Sequence, residues 1–395
     1  MSWQYDPASK IFGKTNMSSN LYDFFSLKGF FFSKEVLTKY YLSLKTKPFI
    51  ILSGISGTGK TKIAQLFAEY MCQNDSIEER ARRMAFIAVR PDWMDKQGLL
   101  GHFNILDEKY HSTKVLDLLL NANEEPDRPF FVVLDEMNLA KVEYYFSDFL
   151  SILESRTPDN PEGETIGLHP FTEVDDEKGR KIPGRIHIPP NVFFTGTVNV
   201  DESTYMFSPK VLDRANVIEF NEVDLRVYTD NVTTGHGGVT LLNDNILGRF
   251  FNPDDFRICG KHDYQALPSH AKQYIEKIHT ILGVYNLHFG YRVANELGRF
   301  VTLALEEVGG SCLDDAVDAQ ILQKILPKLH GTRAKLEEPL QKILAFCRND
   351  TDVYSENLLW VASDNASDFR FPRSGNKIAR MLKQLTIQGY TSFVE

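Results

Sequence analysis

Apolar residues fall along this chain in short runs, and between the runs they recur at helical spacing. Phe49–Leu52 and Phe130–Leu134 are continuous apolar stretches of strand length, the pattern of strands buried on both faces of a parallel sheet. Phe86–Val89, Val192–Thr195 and Val217–Phe220 are further strand candidates. Over Lys60–Gln73 the pattern changes: Ile63, Leu66, Phe67 and Tyr70 recur at steps of three and four, which predicts an amphipathic helix. Leu139–Arg156 reads as another helix. Strands alternating with helices predict an α/β fold, a parallel sheet with helices on both faces.

The pattern also divides the chain. Residues 1–46 read as a leader with an aromatic patch, Tyr22–Phe32, and a helix from about Ser33 to Leu44. Residues 47–224 hold the strands, interrupted at 157–190 by a Pro-, Gly- and charge-rich insertion with alternation at Arg185–Ile188, read as a hairpin or long loop. From 225 to 395 the pattern is irregular as far as 269 and helical beyond it. The helices expected there are His270–Leu282, Arg292–Glu307, Leu313–Leu326, Leu336–Cys347 and Gly375–Leu385. Pro339 is expected in the first turn of the fourth, where its missing N–H costs nothing.

Composition narrows the partners. A net charge of −9 argues against a chain that coats nucleic acid by bulk charge. Four separated cysteines without a CxxC pair read as reduced thiols. The N-terminal residues lack the apolar core of a signal peptide, and no apolar run approaches bilayer length. The expectation is a cytoplasmic protein with no membrane contact.

Candidate chemistry lies at the strand ends. Gly54-Ile55-Ser56-Gly57-Thr58-Gly59-Lys60-Thr61 fits GxxxxGK(S/T) in full, after an apolar strand and at the head of a helix. Glycines let backbone N–H groups wrap a phosphate, and a helix N-terminus favours anions. Lys60 is the candidate for the β- and γ-phosphates, with Lys62 beside it, and the Thr61 hydroxyl is the candidate ligand of Mg²⁺. Phe130–Leu134 delivers Asp135 and Glu136 at its end, the first to hold Mg²⁺ and the second to polarise water. Taken alone, such a pair is also a common solvated acidic turn. Asn199, after the strand Val192–Thr195, could orient that water or could be an ordinary turn residue. Arg214 could stabilise a phosphate on a neighbouring subunit or form a local pair with Asp213.

Together these residues resemble the AAA+ superfamily, and within it the McrB-like (dynein-related) branch of restriction and defence motors. The resemblance rests on LSGISGTGKT, VVLDEMNLAKVEYYFSDFLSILE, GTVNVDESTYMFSPKVLDRANVIEF, FGYRVANEL and ILPKLHG, and spans roughly residues 48–385. It implies a P-loop NTPase core with a mostly α-helical lid, assembled as a homo-oligomeric ring, a hexamer in that family. It places Asn199 at the sensor-1 position, Arg214 at the trans-acting arginine finger and Arg292 at a second sensor that touches nucleotide. It implies Mg²⁺ as cofactor, ATP or GTP as substrate, a McrC-like nuclease partner and double-stranded DNA as the material acted upon. The stretch Val198–Thr204 keeps the asparagine and acidic residues of the restriction motor but not its arginine, which leaves ATP against GTP open. Asp201 and Glu202 are candidates for a ring interface, and DNA recognition falls to a partner or to short elements. Two other readings use the same site: a MoxR- or dynein-like remodeller of proteins, and a nucleotide-gated scaffold that recruits an effector. Arg180, Lys181, Arg185 and His187 in the insertion could form a basic strip for DNA, although solvated surface charge is the commoner fate. Trp93 could grip substrate or simply pack.

Overall fold

The computed structural model of the chain describes residues 20–157, 159–200, 205, 207–220, 246–253, 258–348 and 369–393. It opens with α1 (Leu21–Leu27) and α2 (Lys34–Thr46), whose starts are fixed by side-chain caps. Asn20 Oδ1 accepts from the Tyr22 N–H at 2.8 Å and Ser33 Oγ from the Val36 N–H at 3.2 Å, satisfying donors that a helix start leaves open. α2 packs against the central sheet. Its Tyr40 is buried, with the hydroxyl 2.8 Å from Thr195 Oγ1 in the central sheet and the ring against Phe67.

The α/β half then runs β1 (Phe49–Gly54), α3 (Lys60–Met71), α4 (Ile77–Arg83), β2 (Met84–Ala88), α5 (Gln97–Leu100), the hairpin β3–β4 (Gly101–Asn104, Lys109–Ser112) and α6 (Lys114–Glu124). It continues with β5 (Phe130–Asp135), a 3-10 turn at Met137–Leu139, α7 (Val142–Tyr145) and α8 (Ser147–Ser155). The single helix expected over Leu139–Arg156 is thus broken at Phe146, whose backbone (φ −110°, ψ 7°) is not helical. The insertion forms two small antiparallel ribbons from β6 (Ile166–Gly167), β7 (Glu173–Asp175), β8 (Lys181–Pro183) and β9 (Arg185–Ile186), which pair β6 with β9 and β7 with β8. β10 (Val192–Asn199), α9 (Pro209–Arg214) and β11 (Asn216–Glu219) complete this half.

The sheet order is β11–β1–β10–β5–β2, with every pair parallel. β1 and β10 are buried along their whole length, as continuous apolar runs require. Interleaving is what matters for function. β10, late in sequence, lies between β1 and β5, so three segments far apart in the chain end side by side.

The rest is helical: α10 (Lys261–Gln265), α11 (Ser269–Gly283), α12 (Tyr291–Glu307), α13 (Leu313–Gln320), α14 (Arg333–Arg348) and α15 (Pro372–Gln388), with β12 (Gly331–Thr332) pairing β13 (Tyr390–Thr391). The boundary expected near 225 lies outside the described residues. Two helices differ from expectation. α13 stops at Gln320 and widens into a π turn at Ile321–Ile325 before a 3-10 turn at Leu326–Lys328. α14 starts at Arg333, so Pro339 stands inside it and not in its first turn. Among the described residues no helix is long and apolar enough to cross a membrane.

A buried charge network ties the helical half to the sheet. Glu296 on α12 takes Lys47, at the head of β1, at 2.5 Å and Lys324, in the π turn, at 2.6 Å. Lys324 Nζ also donates to the carbonyls of Asp213 (2.8 Å) and Ala215 (3.0 Å), just before β11. Burial alone would raise the Glu296 carboxyl, but Lys324 and Lys47 outweigh it and hold it down at about 2. Its folded value lies below the unfolded 4.5, so its stabilisation is complete above 4.5 and is lost as pH falls towards 2. That difference is worth roughly 3 kcal/mol. Glu296→Gln should cost about 3–5 kcal/mol at neutral pH, because two buried ammonium groups lose their counter-charge. Urea unfolding should show the gap from wild type narrowing below pH 4.5; a gap constant with pH would remove Glu296 from the network.

Candidate active site

β1 ends at Gly54, and the chain turns through Gly54–Thr61 into α3. Gly57 and Gly59 hold φ of 83° and 91°, where an L side chain is strained. A Cβ on Gly59 would also meet the Phe32 ring at 2.9 Å. Lys60 is the first residue of α3 and is buried, its Nζ donating to the carbonyls of Gly54 (2.9 Å) and Ile55 (2.6 Å). Its ammonium therefore lies within the loop, beside the open N–H groups at the head of α3. Thr58 Oγ1 closes the loop by donating to Ile55 O at 3.0 Å. Lys62 turns away and donates to Gln65 Oε1 at 2.9 Å.

The acidic strand end is joined to this loop by hydroxyls. Asp135 Oδ1 accepts from Thr61 Oγ1 at 2.6 Å and from Thr197 Oγ1 at 2.6 Å. Thr197 Oγ1 in turn accepts from the Glu136 N–H at 3.0 Å. Glu136 sits in the left-handed region (φ 52°, ψ 50°), a conformation that costs a non-glycine residue about 1–3 kcal/mol and persists only when its surroundings impose it. Asn199 Nδ2 donates to Glu136 Oε1 at 3.3 Å.

Sheet register explains the convergence. Asn199 pairs with Gly54 on one side of β10, and Gly196 pairs with Leu134 on the other. Side chains alternate along a strand, so Thr195, Thr197 and Asn199 share a face. Gly196 is on the opposite face, where a Cβ would stand 2.4 Å from Met137 Sδ. The expected loop, Asp135, Glu136 and Asn199 are thus brought together. Thr197 is the member of this cluster that the motifs did not single out. Its signal was the period-two run of polar residues inside an otherwise apolar strand.

The donor set suits Mg²⁺, which takes one or two protein oxygens and completes its shell with water and phosphate. Thr61 Oγ1 and Asp135 Oδ1, 2.6 Å apart, supply those two oxygens. Among the described residues no group of three or more His, Cys, Asp or Glu side chains could hold an ion without such help.

The two arginines lie elsewhere. Arg214 ends α9, before β11, and its guanidinium bonds Glu154. Arg292 bonds Glu154 at 2.5 Å and also Asp213. Asn216, two residues after Arg214, pairs with Ile50. That is four residues, or about 13 Å, back along β1 from Gly54. Both arginines therefore occupy the N-terminal edge of the sheet, opposite the loop. Arg292, the candidate second sensor, is not brought to the loop of its own chain: α12 is anchored through Glu296 at that far edge. Asp201 and Glu202 lie outside the described residues.

Comparison with known proteins agrees with this geometry. Residues 49–215 match the family model described as AAA domain (dynein-related subfamily), and residues 243–390 match a domain of unknown function, DUF8727. The chain thus carries a P-loop ATPase domain of the AAA+ kind, an α/β core followed by a helical lid region. No curated protein matches the chain. Among solved structures, a DNA polymerase III gamma subunit-related protein from Thermotoga maritima is 10% identical, covers 89% of this chain and 92% of its own, and has a TM-score of 0.26. The S. cerevisiae Hsp104–ADP complex is 16% identical over 67% of this chain and 40% of its own, with a TM-score of 0.25.

Thr197→Val keeps the shape of the side chain but leaves the Glu136 N–H and Asp135 without their shared hydroxyl. Turnover should fall by about tenfold or more while nucleotide affinity changes little. Steady-state hydrolysis beside equilibrium binding checks this; wild-type turnover would remove Thr197 from the site.

Proposed function

We propose that this chain is a Mg²⁺-dependent nucleoside triphosphatase whose sites are completed between copies in a ring, a hexamer by the family resemblance. The observation that carries it is the continuous bonding of Thr61, Asp135, Thr197, Glu136 and Asn199 across the ends of β1, β10 and β5. Lys60 and the α3 N–H groups bind the β- and γ-phosphates. Thr61 and Asp135 would hold Mg²⁺, which would supply positive charge against the charge that develops on the phosphates. Glu136, steadied by Asn199, orients a water in line with the γ-phosphorus and accepts its proton. The water oxygen bonds to that phosphorus as the bond to the β–γ bridging oxygen breaks.

Arg214 supports completion in trans. It is too far from its own loop to serve it, and it is held at an edge by a carboxylate, Glu154, that a neighbour's phosphate could replace. Arg292 shares that carboxylate.

For the work done, the motif runs favour a McrB-like motor of a restriction or anti-phage complex, with a McrC-like nuclease partner and double-stranded DNA. The insertion weakens direct DNA contact through its basic residues. Arg180 pairs with Glu124 at 2.7 Å, Lys181 with Asp175 at 2.8 Å, and His187 with Glu162 at 3.9 Å, while Arg185 bonds Thr165 at 2.7 Å. Trp93 packs edge-on against Tyr145, 5.3 Å between ring centroids, as a core residue does. A specific observation favours the second reading, remodelling of proteins. The β3–β4 turn presents Ile105 (81% exposed) and Leu106 (95% exposed), an apolar tip that suits a polypeptide better than a phosphate backbone.

Glu136→Gln should bind triphosphate and lose nearly all turnover; wild-type turnover would sink the water-activating role. Arg214→Ala should bind but not hydrolyse, and mixing it with Lys60→Ala chains should restore activity at interfaces that pair an intact loop with an intact arginine. Silence in co-assembled mixtures would remove the trans role. Hydrolysis of ATP and of GTP, each with double-stranded DNA or with an unfolded polypeptide, separates the two readings. DNA stimulation supports the restriction motor, and polypeptide stimulation supports the remodeller.

A further inference from the structure

A second cavity, of about 630 Å³, opens at the N-terminal edge of the sheet, between the heads of β1 and β10 and helix α12. It is remote from the phosphate loop: Pro48 and Phe193, which line it, precede or begin the strands whose other ends carry the site. Its volume is that of a small-molecule pocket. Its lining is unbalanced in charge. Among the described residues, six cationic side chains, Lys45, Lys47, Arg156, Arg249, Arg292 and Arg299, face three carboxylates, Glu154, Glu296 and Glu306.

Two of the three carboxylates are already committed. Glu296 serves both Lys47 and Lys324, and Glu154 serves both Arg292 and Arg214. Lys45 and Arg249 share Glu307 beside the cavity, at 2.5 and 3.0 Å. Glu306 is exposed. Two guanidinium groups are left without a carboxylate among the described residues. Arg156 is only 6% exposed, gives Nη2 to the carbonyls of Ile188 (2.5 Å) and Pro189 (3.4 Å), and leaves Nε without a partner. Burial pulls it down to about 10, the mark of a cation lacking counter-charge. Arg299, on α12, has no ion pair among the described residues. An uncompensated buried charge is expensive, and an anion relieves it. Beside these cations the wall is apolar and aromatic: Phe251 and Phe193 meet edge-on at 5.9 Å, and Leu303 and Ile258 extend the surface.

We propose that this cavity binds a small organic phosphate, with the phosphate seated against Arg156 and Arg299 and the organic body against the Phe251 and Leu303 side. Guanidinium groups suit phosphate because their forked N–H donors match its oxygens. The Cys259 thiol in the same wall is pushed up to about 12 by burial and stays protonated, so binding is non-covalent.

The test uses full-length Lys60→Ala protein, in which the phosphate loop is disabled, titrated by calorimetry with AMP and separately with inorganic phosphate. AMP should bind saturably at one site and more tightly than inorganic phosphate. Adding Arg299→Gln should weaken AMP by about ten- to hundredfold. Arg156→Gln should weaken it too, but Arg156 also holds the chain before β10, so Arg299→Gln, with its fold checked by thermal melting, is the deciding variant. No saturable binding of either probe would overturn the proposal, as would binding that Arg299→Gln leaves unchanged. Equal affinity for the two probes would overturn the organic part of the assignment. None of these outcomes depends on hydrolysis at the phosphate loop.

Discussion

One carboxylate oxygen, Asp135 Oδ1, receives hydroxyl bonds from two directions, and the site is organised around it. Thr61 comes from the helix that follows β1, and Thr197 from β10. Each bond holds only because β10 is threaded between β1 and β5, which aligns three strand ends to within a hydrogen bond. The same Thr197 oxygen fixes the Glu136 N–H, so the strained backbone at the glutamate is secured by the group that also holds Asp135. Pre-set geometry of this kind spares the reorganisation that solvent would need during reaction.

The opposite edge of the sheet is governed by charge. Glu296 between Lys47 and Lys324 locks α12 beneath the heads of β1 and β11, and this decides where α12 can send its arginines. Arg292 then meets Arg214 at Glu154, and both are turned outward from the chain's own nucleotide site. Beside the lock lies a cavity whose described lining residues include more cations than carboxylates. A single anchoring network thus holds the arginine-rich face at the edge of the sheet opposite the candidate phosphate loop.

Short-range chemistry was legible before any coordinates. The glycine loop, the buried apolar strands, Asp135, Glu136 and Asn199 could be named because each depends on residues a few positions apart: turn glycines, a cap, a period of two or 3.6. The helix breaks at Phe146 and after Gln320 were not legible, because packing and the inward reach of Lys324 override a continuous helical pattern. Pro339 was misplaced for a related reason: the helix began three residues before the apolar spacing showed it.

What the sequence by itself determined is therefore the class of chemistry, since phosphate binding and water activation need particular residue types at fixed local spacing. What only the tertiary structure decided is which distant residues share a site. Thr197 joins the candidate cluster because strand order sets it beside β5. Arg292 lies at the far edge because a buried carboxylate anchors its helix there. The insertion's basic residues were spent on local carboxylates and hydroxyls. Contacts between residues far apart in sequence depend on strand order and on which charges burial forces to pair, and neither is written in any local period.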